Sequence, residues 1–338
     1  MNAISIDNNY FYDAINRLLN QQVEKEDILM LLGATGEVQN ILFEQARAIR
    51  SKHTNDIVRL RGVIEISNYC QKSCNYCAIR APNSNMQRYR MTPDEIMDIA
   101  RQIRELGIEI IFLQAGQDPK CDAIMEEVIP KIKKELQGTV LLCLGEKPKE
   151  VYRRYRELGA DSYILKYETS DPLLYQQIAL TPLNKRLECA RWIQEFGMQL
   201  GVGNMIGLPG QSYDSLAEDI LLGYQMKPDF VSASPFIANQ DTPYEDVPTG
   251  DFNITLNTMA INRILHKTSL IPTVSALEKI QADGQLMGLN AGANVITINF
   301  TPPVKRDQFK IYSKERFIVS REHASRIIEK AGLKLKAG

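Results

Sequence analysis

Ser67-Asn68-Tyr69-Cys70-Gln71-Lys72-Ser73-Cys74-Asn75-Tyr76-Cys77 places three cysteines at C-x3-C-x2-C spacing, directly after the β-rich stretch from Ile57 to Ser67. Three thiolates this close reach three corners of one cubane cluster and leave the fourth iron without a protein ligand. A structural iron–sulfur cluster is normally closed by a fourth cysteine. An open iron is a place for chemistry, by the logic that leaves catalytic zinc a free position. A zinc knuckle would want a fourth Cys or His nearby, and the nearest His is His53, upstream. Disulfides do not suit a chain without a secretory signal.

Working outward from the loop, the pattern alternates. Upstream, residues 10–20, 25–32 and 37–51 carry apolar residues at helical spacing. Downstream, Thr92-Pro93-Asp94-Glu95 reads as a helix start with a capping box, running to about Leu106. Strands are predicted at 109–114, 140–144, 162–167, 199–206, 230–235, 270–275 and 294–300. Helices are predicted at 122–136, 149–158, 183–196, 212–226, 254–266 and 283–290. With Ile57–Ser67 as the first, eight strands alternate with helices. The expected fold is a complete (β/α)8 TIM-type barrel over residues 57–303. A helical extension at 1–56 precedes it, and a tail at 304–338 closes it with a helix. An open barrel of six units is the alternative. In either case active sites gather at the C-terminal ends of the strands.

The 338 residues carry 40 basic and 41 acidic side chains, net −1, so there is no electrostatic case for nucleic acid or an anionic membrane. No apolar run approaches a membrane span, and Met1 to Asn9 lacks the regions of a signal peptide, which makes the cytoplasm the expected compartment. Cys121, Cys143 and Cys189 share no ligand spacing and read as core residues. Three histidines argue against a histidine-built metal centre.

The cysteine spacing, with aromatic Tyr76 before the third cysteine, resembles the radical S-adenosylmethionine (SAM) superfamily. The resemblance implies one 4Fe-4S cluster on Cys70, Cys74 and Cys77, with SAM on the open iron as the source of a 5′-deoxyadenosyl radical. It also implies an electron donor such as flavodoxin or ferredoxin. Tyr76 is then set against the adenine. Gly116, Gln117 and Asp118, after the second strand, stand where the superfamily holds the SAM amino group. Without the resemblance this is merely a strand-to-helix turn. Glu168 is placed for the ribose hydroxyls, its plain alternative being an N-cap or salt bridge. Arg186 is placed for the SAM carboxylate, although a helix arginine is ordinarily a solvated charge. Met205 falls in Gly201 to Ser212, which is similar to the adenine-binding strand end. Ser234, Thr273, Ser275, Glu278, Asn299 and Thr301 line the expected substrate cavity.

A longer set of segments narrows the resemblance: Arg88 to Pro93, Gln114 to Pro119, Leu144-Gly145-Glu146, Glu168-Thr169, Gly207 to Gln211, Pro235 to Ile237, Asp241-Thr242-Pro243 and Gly292 to Ile296. Together they are similar to the HydE maturases of FeFe-hydrogenase across 57–303, to methylornithine synthases over the same stretch, and to biotin synthases more distantly. HydE resemblance implies a small or organometallic substrate, attack on a cysteine sulfur, and other hydrogenase maturases as partners. Methylornithine synthase implies rearrangement of a lysine skeleton instead. The chain departs from both at Gln117, where Glu is usual. It departs from HydE at Lys166-Tyr167, in place of Arg-His, and at Thr273 to Glu278. These changes leave room for a diverged substrate. A non-catalytic iron–sulfur carrier would need the cysteines alone and no enclosed cavity.

Overall fold

The computed structural model describes residues 8–311 and 315–336. Helices Asn8–Leu19, Lys25–Leu32 and Gly36–Thr54 come first along the chain. Seven strands then form a parallel sheet curved into a partial barrel: β1 Ile57–Ser67, β2 Ile110–Ala115, β3 Thr139–Cys143, β4 Ser162–Ile164, β5 Gln199–Ile206, β6 Phe230–Pro235 and β7 Val295–Asn299. Their order is β6-β5-β4-β3-β2-β1-β7, so each strand from β1 to β6 lies beside its successor. A two-residue β8, Lys334–Leu335, pairs with the N-terminal end of β1. Among the described residues no helix is long and apolar enough to cross a membrane.

The strand predicted at 270–275 is not one, and the sheet is open between β6 and β7. Leu270 bridges Phe230 and Pro272 bridges Val295, each as an isolated pair. Pro272 has no N–H for a ladder, and a helix, Ser275–Ile280, takes over at once. Strand β4 stops at Ile164; beyond it Glu168 pairs with Asn204 only as an isolated bridge and turns into the left-handed region at φ 65°. The helix Pro172–Ala179 was not predicted, although Asp171 caps it and Pro172 opens it in the usual way. The capping box at Thr92 and Glu95 is present as read.

Side chains alternate between the helix-packed core and the inside of the curve. Val63, Ile110, Phe112 and Leu141 pack together on the inside. Above them, toward the C-terminal strand ends, the inward positions turn polar.

Candidate active site

The cysteine loop leaves β1 and folds over the ends of β1 and β2. All three of its cysteines are free, with Cys74 buried and Cys70 and Cys77 partly so. The loop is fixed largely through backbone. Gln71 N–H donates to Gln117 O at 3.0 Å, and Asn75 N–H to Ile178 O at 2.7 Å, on the unpredicted helix. Gly116 is required because a Cβ there would lie 2.3 Å from Tyr69 O. The close approach at Gly116 is thus made by the loop's own backbone.

The Arg88-Tyr89-Arg90 segment explains itself in the same frame. Arg88 donates to four carbonyls: Asn68 and Ile79 through Nη1, Arg80 and Asn83 through Nη2. Tyr89 OH donates to Glu65 O at 2.7 Å. Arg90 holds Asp118 with Nε at 2.6 Å and Nη2 at 3.0 Å. Asp118 also accepts from Ser67 Oγ at 2.8 Å and Lys120 N at 3.1 Å. Burial would raise its carboxyl, yet the bonds from Arg90 and Ser67 outweigh that and hold it below the usual range. Both Asp118 oxygens are therefore spent on the scaffold under the loop. Gln117 likewise gives its side-chain oxygen to Glu146 N–H at 2.9 Å.

Charged side chains converge in two ion-paired groups near the cysteine loop. Lys72 Nζ reaches Glu146 Oε2 at 3.0 Å, and Arg186 Nε lies 3.0 Å from Glu146 Oε1. Glu168 is buried, its Oε2 is 3.3 Å from Lys166 Nζ, and that oxygen accepts no hydrogen bond. A buried residue held at positive φ and an unsatisfied carboxylate oxygen both cost stability. Met205 on β5 donates its N–H to Glu168 O at 2.8 Å. Asn239 donates to Tyr76 O at 3.0 Å, fixing the backbone ahead of Cys77. Under the Glu168 turn sits Asp219, fully buried, accepting from Ser170, Thr169, Asn204 and Gln211.

Inside the curve is a cavity of about 150 Å³. Its lining includes Ser234, Thr273, Ser275 and Asn299 from the sequence reading, but not Glu278 or Thr301. Glu278 accepts from Asp283 N at 3.1 Å and Gln285 N at 3.0 Å, closing a turn. Thr301 accepts from Glu65 N at 2.9 Å. Sequence reasoning missed Arg61 and Glu65 on β1, Cys143 on β3 and Arg316 from the tail as cavity residues; Lys166, read as a departure from HydE, lines the cavity with them. Arg316 grips Glu65 with both terminal nitrogens, at 2.5 and 2.6 Å. Arg61 lies over the Phe112 ring at 5.0 Å and donates to Thr297 at 2.5 Å. A signal existed for Arg61 and Glu65: with Val63 they alternate with the apolar Leu60, Ile64 and Ile66 of the other face. Cys143, read as core, is only partly covered, and burial pushes its thiol up to about 11.

Comparison with known proteins settles the family. The model of the radical SAM superfamily matches residues 64–222. The FeFe-hydrogenase maturase subunit HydE of Thermotoga maritima is 42% identical over 275 residues, 80% of this chain and 78% of that protein. The chain belongs to the radical SAM superfamily. A 3-methylornithine synthase of Methanosarcina acetivorans is 28% identical over 82% of this chain and 79% of its own length. In fold, a crystal structure of methylornithine synthase superposes with TM-score 0.82 at 23% identity, covering 95% of this chain and 97% of that one. The maturase HydG of Carboxydothermus hydrogenoformans gives 0.83 at 21% identity, covering 98% of this chain and 80% of that one.

Radical SAM enzymes use a 4Fe-4S cluster and SAM, and Cys70, Cys74 and Cys77 are the cysteines this chain has for the cluster. The residues fit that group. Backbone N–H groups of Lys72 and Gln117 both point at Cys70 Sγ, each at 3.4 Å, as donors to a cluster thiolate do. Burial pushes the free Cys74 thiol up to about 11, the direction that bonding to iron reverses. No three His, Cys, Asp or Glu among the described residues converge on a single ion.

Proposed function

We propose that this radical SAM enzyme is a HydE-type maturation enzyme of the FeFe-hydrogenase diiron centre, working in the cytoplasm on a small sulfur-bearing or organometallic substrate. The observation that carries the reading is 42% identity to a HydE maturase over 80% of this chain. Bound cluster and SAM supply a carbon-centred radical. Cys70, Cys74 and Cys77 hold three irons. Tyr76 and Met205 flank the adenine, Glu168 takes the ribose hydroxyls with its unsatisfied oxygen, and Arg186 takes the carboxylate. Gly116, Gln117 and Asp118 act by shaping the wall beneath the loop. A flavodoxin- or ferredoxin-like donor and other maturases are the partners this role requires.

The proposal includes a barrel over residues 57–303 whose gap between β6 and β7 is spanned by the 270–273 segment in place of a strand, with 1–56 as a helical extension and 304–338 as a covering tail. Support for closure comes from Val231 N–H to Leu270 O at 3.1 Å and Thr273 N–H to Val295 O at 3.0 Å, which tie the segment to both sheet edges. Support for the tail comes from Ile311 and Arg316 to Val319, which line the cavity. Enclosure fits radical chemistry, because the substrate must be fixed and water excluded. A lysine-type substrate would call for a carboxylate to hold its ammonium. Among the described residues the acidic side chain lining the cavity is Glu65, and Arg316 occupies both its oxygens.

The anaerobically reconstituted enzyme should release 5′-deoxyadenosine faster with cysteine-derived or iron–cysteine compounds than with lysine-type ones. Stimulation by lysine alone would favour the mutase class, and stimulation only by a peptide or nucleic acid would defeat the enclosed cavity.

A further inference from the structure

The cavity inside the curve has a floor as well as a mouth. The mouth is covered, because Ile311 and Arg316 to Val319 of the tail belong to the lining. At the N-terminal ends of β1, β5 and β6 lies a second depression, whose lining includes Arg59, Gln199, Lys227, Asp229, His266 and Lys267. Among the described residues, Phe230 is the one that lines both, and it is 6% exposed.

The strand pattern explains why the floor is thin at Phe230. Inward positions alternate along each strand. From β1 to β4 they carry Val63, Ile110, Phe112, Leu141 and Ile164, which pack into one apolar layer. On β5 the inward position is Gly201, paired in register with Phe230. Gly201 brings no side chain, so the floor beside it falls to Ile164 and Phe230. The backbone around Phe230 is pinned on its other side. Leu270 N–H donates to Asp229 O at 2.9 Å, and Val231 N–H to Leu270 O at 3.1 Å. Turning the ring aside is therefore a change of rotamer that breaks no backbone hydrogen bond.

The depression favours anions. Among the described residues, Arg59, Lys227 and Lys267 line it against one acid, Asp229, whose Oδ2 already accepts Leu200 N–H at 2.9 Å. Arg59 and Lys227 are exposed. Lys267 Nζ donates to Leu19 O at 3.1 Å, which holds its charge in place without neutralising it. His266 adds a ring nitrogen, Nε2, that is buried without a hydrogen-bond partner. Beyond Phe230 the sign continues: Arg61 and Lys166 line the cavity, and the acid there, Glu65, is held by Arg316. A concave surface lined by one sign of charge concentrates the opposite ion.

We propose that the depression is a second mouth of the cavity, through which small anions pass by displacing the Phe230 ring. This goes beyond the function proposed above. It gives the cavity a route that neither the cysteine loop nor the tail has to open, whichever small anion is used inside.

Cys143 lines the cavity and reports what arrives there. The anaerobically reconstituted enzyme, with SAM present, is treated with iodoacetate, a small anion, or with its neutral counterpart iodoacetamide. Alkylation of Cys143 is followed by peptide mass spectrometry, and each rate is divided by that of free cysteine. Cys189, buried on the helix Leu183–Glu195, reports general loosening. Iodoacetate should hold an advantage over iodoacetamide that high salt removes. Replacing the two exposed cations together, Arg59→Gln with Lys227→Gln, should slow iodoacetate by about three- to tenfold and leave iodoacetamide within about twofold. Phe230→Ala should speed both reagents at Cys143 by about tenfold or more, while Cys189 keeps its wild-type rate. The proposal is overturned by a Cys143 rate in Phe230→Ala equal to that of wild type. It is equally overturned if the double cation variant slows iodoacetate no more than iodoacetamide. Should Phe230→Ala speed Cys189 as much as Cys143, its packing has loosened, and the double cation variant alone decides.

Discussion

At the mouth of the partial barrel two regions meet that are built on different terms. The cysteine loop is held through its backbone groups: Gln71 and Asn75 N–H, Gly116 pressed against Tyr69 O, and carbonyls gathered by the single side chain of Arg88. The cavity behind it is held by side chains: Arg316 clasping Glu65, Arg61 over Phe112, and hydroxyls of Ser234, Thr273 and Ser275 on separate elements. Backbone bonds tolerate change in side chains and fix a geometry. A lining of side chains can be rewritten one residue at a time. The contrast explains how one cofactor apparatus serves different substrates across a family.

The comparison breaks most visibly at Cys74. Cys74→Ala should lose the cluster and all SAM cleavage, measured as iron content and 5′-deoxyadenosine. The triple replacement of Cys121, Cys143 and Cys189 by Ser should keep the cluster. Because Cys143 lines the cavity, any change in that variant should appear in substrate response. Loss of iron in the triple variant would show that the loop is not self-sufficient.

Next in size is the clasp. Arg316→Ala leaves Glu65 charged and buried without its partner, and should cost roughly 3–5 kcal/mol in denaturant unfolding of the apoprotein. The double replacement Glu65→Leu with Arg316→Met should recover most of that. Iron loading should survive in the double variant. Iron loss there would mean that the two regions are one.

The smallest effect sharpens the boundary between them. Burial raises Asp219 to about 6 despite donors from Ser170, Asn204 and Thr169. Its native value lies above the unfolded one near 3.8, so the stability it contributes is full below pH 3.8 and lost as pH rises through 6. Between pH 4 and 7 wild type should lose up to about 3 kcal/mol that Asp219→Asn does not lose. Equal slopes in urea unfolding would place that charge outside the folding equilibrium. SAM affinity, measured over the same range, tells whether the Glu168 turn moves with it.

The cysteine ligands were legible because all three lie within eight positions, where spacing alone constrains geometry. Helix starts at Thr92 and Ser212 were legible because a cap bonds within one turn. The same holds for the helical extension and for the strand alternation, since apolar periodicity is a local property. The tertiary structure decided what depends on distant partners. It turned 270–275 from a strand into two isolated bridges, because Pro272 lacks the donor that a ladder requires. It gave Asp118 to Arg90 and Ser67, and Glu278 to a turn, because a carboxylate goes to the nearest donors that burial leaves it. It brought Arg316 to Glu65 across 251 positions and set Glu146 between Lys72 and Arg186. Pairings of that kind are fixed by packing in three dimensions, which no window of sequence contains.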